Sequence, residues 1–252
     1  MKRISPMHSS DRRISKRILV IGASSGIGRE VARLYAREGH RVGVMGRRTE
    51  LLEEIRSEFP DRIAVGRLDV RSLTDTSALD GIVEEMGGMD LCIYCSGIGT
   101  ISKSLDWSIE KDTTETNVNG FIRCAEWAFN RFVSQGGGQL ANISSVASWR
   151  GNSHAPAYSA SKAFQSVYFE GLRMKALRLR VPVTVTDVQP GFVKTKMAQG
   201  NGQFWVAEVD KAARQIKAGM DRKAFRVYVT RRWRFVTWLM RIMPDFVYHR
   251  LS

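Results

Sequence analysis

Tyr158 and Lys162 stand four residues apart in Tyr158-Ser159-Ala160-Ser161-Lys162. If that stretch is helical, both side chains share a face. A phenol beside an ammonium is a proton donor whose anion has a counter-charge waiting. The ammonium should pull the phenol down from its usual value of about 10. Ser145 lies upstream, across a loop holding Gly151 and Pro156, and brings a hydroxyl towards the same volume. Alone, such a pair describes an ordinary half-exposed helix face. With an upstream serine and a glycine-rich loop in one chain, it describes a centre for acid–base work on a substrate oxygen.

The glycine-rich loop is Gly22-Ala23-Ser24-Ser25-Gly26-Ile27-Gly28. It follows the apolar run Ile18–Ile21 and precedes a helical period over Arg29–Arg37. Strand, glycine turn and helix in that order let backbone N–H groups approach a pyrophosphate at a helix N-terminus. The bland alternative is a flexible turn. A second strand, His40–Met45, ends in Gly46-Arg47-Arg48. An acidic residue there would bond a ribose 2′-OH, whereas arginine suits a 2′-phosphate, so Arg47 and Arg48 point to NADP(H) rather than NAD. A solvated arginine pair is the alternative. Asp69, in Leu68-Asp69-Val70, either reaches an adenine amine or caps the next helix.

The elements that must hold these groups alternate. Apolar runs at 62–65, 89–94, 139–143, 181–188 and 225–229 read as strands. Helical periods fill 49–59 (Thr49 as N-cap), about 73–86, about 109–133, up to about 179, and 210–220. Asn117-Val118-Asn119-Gly120 should break the long helix locally. Residues 197–205 read as a short mobile loop. The expectation is an α/β fold: a doubly wound (Rossmann) sheet of about seven parallel strands with helices on both faces. Residues 17–230 form the oxidoreductase domain in this reading. A basic, disordered tail covers 1–16, and an apolar, basic C-terminal helix covers 231–252.

Composition narrows the classes. The chain has 252 residues, 43% of them apolar, which is enough for a sizeable core. No secretory signal is readable near Lys2 and Arg3, and no stretch is apolar for long enough to span a bilayer. Three cysteines, an odd number, imply reduced thiols and a cytoplasmic setting. Cys92 and Cys95 have a redox spacing but lie in a strand and at its end, so they read as packing residues. The four histidines are scattered without ligand spacing, and no metal site is expected. The net charge of +14 raises nucleic acid and anionic membranes as partners. No nucleic-acid reading module accompanies it, so specific nucleic acid is not expected.

Taken together, these motifs resemble the short-chain dehydrogenase/reductase family, in its compact single-domain form, over residues 18–230. Gly22, Gly26 and Gly28 match its cofactor loop, and Asp69 its adenine-contacting aspartate. Asn117, Ser145, Tyr158 and Lys162 match its catalytic tetrad. Pro190, Gly191, Val193 and Thr195 match the segment that holds the nicotinamide carboxamide. Ser24, Ser25, Ile27, Val70 and Gly97 fall within the implied cofactor contacts. The resemblance implies hydride transfer between NADP(H) and a small-molecule carbonyl or alcohol. Ser145 and Tyr158 would bind the oxygen, Lys162 the ribose, and Asn117 a water joining Lys162 to solvent. It also implies a homodimer or homotetramer. One departure stands out: the family's Asn-Asn-Ala-Gly is Tyr94-Cys95-Ser96-Gly97 here, which puts the rigidity of neighbouring loops in question. The alternative from another class is an NADP-binding redox sensor.

The C-terminal stretch is the least family-like. As a helix, residues 231–243 place Arg234, Thr237 and Arg241 on one narrow polar stripe, and from Trp233 onward the remainder is apolar. Such a helix is a substrate lid or oligomer interface, a peripheral contact with the inner face of a membrane, or a covered core helix. The substrate pocket should be apolar, walled by Trp107, Trp149, Phe192, Phe204 and Trp205.

Overall fold

The computed structural model describes residues 15–102, 104–197 and 203–251. Seven strands form one parallel sheet: β1 (Arg17–Ile21), β2 (Arg41–Gly46), β3 (Ile63–Arg67), β4 (Leu91–Tyr94), β5 (Gly138–Ile143), β6 (Val183–Pro190) and β7 (Arg226–Val229). Their order across the sheet is β3-β2-β1-β4-β5-β6-β7, every pairing parallel. The order reverses between β1 and β4. In such sheets the ligand crevice opens beyond the carboxyl ends of the strands at that reversal.

Period-two alternation decides which helix packs on which face. In β1, Ile18 and Val20 face one apolar cluster while Leu19 and Ile21 face the other. The first cluster takes in Val31 and Tyr35 of α1 (Gly26–Arg37), Leu52 and Ile55 of α2 (Thr49–Glu58), and Ala212 and Ile216 of α7 (Val209–Asp221). The second takes in Leu79 and Val83 of α3 (Ser77–Glu85), Phe121 and Phe129 of α5 (Gly120–Ser134), and Phe169 and Leu172 of α6 (Pro156–Leu179). A sheet buried on both sides needs continuous apolar strands, and β1 supplies them: Ile18 to Ile21 are fully buried.

Several boundaries differ from the sequence reading. Thr49 is the first residue of α2, not its cap, which is Arg48. The third helix starts at Ser77 rather than near Leu73, because Asp69 caps a short 3-10 turn over Val70–Ser72. The long segment expected at 109–133 is α4 (Trp107–Thr114), a wide π turn (Glu115–Asn119) and then α5. The break falls at Asn117-Val118-Asn119, as expected from those residues. Of the expected N-terminal tail, Ser15 and Lys16 are held: Ser15 Oγ donates to the Gly39 carbonyl at 3.0 Å, and the Lys16 N–H donates to His40 Nδ1 at 3.1 Å. Residues 1–14, and 198–202 of the expected loop, lie outside the described residues.

The C-terminal stretch is two helices, α8 (Trp233–Ile242) and α9 (Asp245–Leu251), separated at Pro244. The covered-core reading of this stretch does not hold. α8 turns Trp233 and Thr237 inward and leaves Phe235 76% and Trp238 60% exposed. Thr237, expected on a polar stripe, is buried because it sits one turn from Trp233, the anchor of the helix.

Candidate active site

Four turns at the carboxyl edge converge. The turn after β1 requires glycine. Gly22 has φ +93°, and a Cβ there would strike the backbone of Ser96 in the turn after β4. Gly26, at φ +57°, lies under the Thr195 methyl of the segment after β6. Gly28 opens α1 so close to the loop that a Cβ would strike the Gly22 carbonyl. The result is a cradle without side chains at a helix N-terminus, which fits a pyrophosphate. The segment carrying Pro190, Gly191, Val193 and Thr195 is braced by a Val193–Ala207 bridge.

Arg48, rather than Arg47, is the arginine on this loop. Its Nη2 donates to Ser24 Oγ at 2.8 Å and to Ser25 Oγ at 3.0 Å. Arg47 is exposed, near enough to Asp69 to help hold its carboxylate below the usual range. The main cause of that lowering is Arg71, whose Nη2 lies 3.1 Å from Asp69 Oδ2. Asp69 also accepts the Arg71 N–H and so caps the 3-10 turn rather than the helix that follows it. Val70 is buried against Gly120.

Ser145, Tyr158 and Lys162 come together as their spacing predicts. Ser145 leaves β5 and caps a 3-10 turn over Val146–Trp149, its Oγ accepting from the Ala147 N–H at 3.1 Å. Neighbouring Ser144 points the other way and donates to buried Asp187 at 2.6 Å. Gly97 lies beside Asn117 and the Lys162 ammonium, and Gly99 against the Tyr158 ring.

The electrostatic expectation for this pair is revised. Burial pushes the Tyr158 phenol up, and a hydrogen bond with Ser145 opposes that rise. Lys162 is not what lowers it. Its Nζ is 5.9 Å from the phenol ring centre and donates to the Ile143 carbonyl at 2.9 Å and to Gln165 Oε1 at 3.0 Å. Burial in turn pulls the Lys162 ammonium down to about 8, against the raising effect of Asp187 and Cys95.

The Asn117 side chain is spent on hydrogen bonds within the protein. Its Oδ1 accepts the Ile98 N–H at 2.9 Å, and its Nδ2 donates to the Ile98 carbonyl and to Ser161 Oγ at 2.8 and 3.0 Å. Its own carbonyl accepts from Gln165 Nε2 at 2.8 Å. Asn117 therefore clamps the loop after β4. Tyr94, which stands where the resemblance expected asparagine, adds a second tie through its hydroxyl to the Thr116 carbonyl at 2.9 Å. The loop is tied down in spite of the departure. Burial pushes the Cys95 thiol up to about 12, far from a reactive thiolate.

The chain matches the sequence profile of the short chain dehydrogenases over residues 16–204. It belongs to that family. An uncharacterized oxidoreductase of Myxococcus xanthus is 38% identical over 194 residues, covering 73% of this chain and 74% of the relative. A putative ketoacyl reductase of Streptomyces coelicolor is 34% identical over 214 residues, covering 79% and 80%. A short chain dehydrogenase from Burkholderia cenocepacia, solved in complex with NADP, superposes with a TM-score of 0.80 at 20% identity, over 94% of this chain and 97% of that one. The protein is thus a short-chain dehydrogenase/reductase enzyme with the family's NAD(P)-dependent oxidoreductase chemistry.

Within this short-chain dehydrogenase, three neighbours of the site escaped sequence reasoning. Gln165 is one. Trp233 of α8 is another: its ring lies 5.6 Å from Phe192, 5.0 Å from Phe204 and 6.1 Å from Trp205. It packs on Gly191, where a Cβ would collide with the indole. The third is Arg150, which follows the Ser145 turn and donates to the Met240 carbonyl at 2.9 Å and to Asp245 at 2.7 Å. An arginine on the last carbonyls of α8 complements the helix dipole and pins the C-terminus to the site. Two expected pocket aromatics stand apart from this cluster. Trp107 is 75% exposed, and Trp149 donates to Gln189 Oε1 at 2.8 Å beneath Arg226 and Arg241.

Proposed function

We propose that this enzyme is an NADP-dependent reductase of an apolar ketone or aldehyde. The observation that carries the cofactor half is Arg48, held by two serine hydroxyls at the glycine cradle, where no carboxylate end-stops β2. When bound, the cofactor supplies the hydride. In this reading the 22–28 loop, Arg48, Asp69, Gly97 and the 190–195 segment hold it. Ser145 donates a hydrogen bond to the substrate oxygen, and Tyr158 hydrogen-bonds and protonates it. Phe192, Phe204, Trp205 and Trp233 wall an apolar pocket, and the kinship to a ketoacyl reductase supports a carbonyl as the reacting group. The stripe Phe164, Val167 and Met174, exposed on α6 around Gly171, is the face assigned to a second copy.

Cofactor oxidation across a panel of ketones and aldehydes tests this reading. Turnover with NADPH should exceed turnover with NADH, and long apolar carbonyls should outdo small polar ones. Arg48→Ala should raise the KM for NADPH by about 10–100-fold and leave NADH unaffected, as expected for losing a hydrogen bond to a charged group. Preference for NADH, or no change in Arg48→Ala, sinks the NADP assignment. NADPH binding without turnover of any carbonyl moves the weight to a sensor.

The outer face of α8 and α9 is assigned to an anionic lipid surface. Among the described residues no helix is long and apolar enough to cross a membrane. Phe235, Trp238, Ile242 and Phe246 are nonetheless more than half exposed. Residues 231–252 carry five arginines and one aspartate, so two copies of this face would repel, whereas an anionic bilayer would attract it. Flotation with phosphatidylglycerol vesicles should capture the enzyme, phosphatidylcholine vesicles should not, and salt should weaken capture. The double variant Phe235→Ser, Trp238→Ser should stay in solution. Capture that ignores this variant, or a dimer that it dissociates, removes the lipid assignment.

A further inference from the structure

Gln165 lies one turn beyond Lys162 on α6 and is fully buried. Its two ends face two different parts of the site. Oε1 accepts from Lys162 Nζ at 3.0 Å, and Nε2 donates to the Asn117 carbonyl in the π turn at 2.8 Å. A longer contact, 3.5 Å from Asn142 Nδ2, reaches Oε1 from β5. The Lys162 ammonium therefore has two fixed acceptors, the Ile143 carbonyl and Gln165, and one remaining N–H.

We infer that Gln165 is a positioning residue that holds the Lys162 ammonium for the reaction by joining it to the Asn117 carbonyl. This deepens the proposed reductase function, whose site it serves. The arrangement follows from local geometry. Residues three apart on a helix share a face, so Gln165 and Lys162 point the same way. The π turn brings the Asn117 carbonyl within reach of the amide, in keeping with the frequent placing of such turns at functional sites. An amide neither ionises nor passes a proton readily, so this link fixes the ammonium's direction and charge and does not relay protons. The other ionisable groups around Lys162 are Asp187 of β6, Cys95 after β4, and Tyr158 on its own helix. Asp187 is itself buried and hydrogen-bonded to Ser144 and Gln189, at 2.6 and 2.8 Å, so Gln165 is the side-chain acceptor in direct contact with the ammonium.

The test needs no substrate. Lysine labelled with 13C at Cε is titrated by NMR in the cofactor-free protein, and the Lys162 signal is assigned by its loss in Lys162→Met. Gln165→Leu removes both hydrogen bonds, and the midpoint should fall by about one pH unit or more. Gln165→Glu keeps the acceptor and adds a charge, so the midpoint should rise. In the active enzyme the basic limb of kcat/KM should move in the same two directions, with kcat in Gln165→Leu falling below wild type as pH rises, up to about tenfold above the wild-type midpoint, in proportion to the ammonium lost. Gln165→Met offers a second shape-matched variant should the leucine variant not fold. A midpoint that stays put in folded Gln165→Leu or Gln165→Met, or that falls in Gln165→Glu, overturns the inference even in an active enzyme. An enzyme inactive on every carbonyl, with the midpoint moving as stated, leaves the inference standing and removes the reductase reading instead.

Discussion

Replacing Tyr158 by phenylalanine is expected to lower kcat for carbonyl reduction by about 10²–10⁴-fold, with NADPH binding and thermal stability close to wild type. The substitution removes one hydroxyl and keeps the ring that packs against Gly99. The role at stake is proton donation to the substrate oxygen. Burial holds the phenol above its ordinary value, so the acid is present throughout the neutral range. The sign follows for both directions of reaction. Reduction consumes the protonated phenol and should not fall as pH rises through neutrality. Alcohol oxidation needs the phenolate and should rise with pH over about 6 to 8, below the range in which Lys162 loses its charge, because the phenolate grows as pH approaches the raised value. Pre-steady-state and steady-state rates of both directions, in wild type and Tyr158→Phe, check the assignment. A variant retaining more than about a tenth of the wild-type kcat, or an oxidation rate flat in pH, would place the proton donor elsewhere.

Phe121→Ala should be the most destabilising single change among those considered, costing about 3–5 kcal/mol. Phe121 is fully buried and sits where α5 leaves the π turn. Its ring lies 5.4 Å from that of Tyr94 on β4, and 5.5 Å from those of Tyr168 and Phe169 on α6. It therefore joins the strand before the Gly97 loop, the turn carrying Asn117 and the helix carrying Lys162. Those elements are parts of the sheet and its longest helix, so the surroundings cannot collapse readily into the space an alanine leaves. For a chain of this size the melting temperature should drop by roughly 6–20 °C. Because the cavity opens beneath the site, kcat should fall more than the KM for the carbonyl rises. Calorimetry and steady-state kinetics on the same preparation decide it. A loss under about 1 kcal/mol would mean that the ring cluster contributes little beyond filling space.

Much of this molecule is legible in one dimension because its signals are local. Ile18 to Ile21 must be a doubly buried strand, since an apolar run with a glycine turn on its carboxyl side has few other uses. Gly22, Gly26 and Gly28 must make a cradle, because side chains at Gly22 and Gly28 would strike backbone and Gly26 adopts a positive φ. Tyr158 and Lys162 must share a face once the helix forms, and Asn117-Val118-Asn119 must disturb the helix that contains it. Each depends on residues within a turn or two of each other. Strand and helix order, and with them the doubly wound sheet and the family, follow from the same kind of signal.

What the tertiary structure decided are the pairings between distant segments. The sequence favours Arg47, the first of the pair, and only the packing of the β2 turn beside α1 puts Arg48 on Ser24 and Ser25. Gln165 reads as one more polar helix position until the π turn, 48 residues earlier, presents the Asn117 carbonyl to it. Asn117 clamps the loop after β4 because Ile98 lies within reach. Trp233 enters the aromatic wall because Gly191 leaves space for an indole, and α8 then has no choice but to turn Phe235 and Trp238 outward. Periodicity states which side chains travel together along one element. Which backbone carbonyl, glycine or serine they meet is set by how the elements pack, and that depends on contacts whose partners lie far apart in the chain.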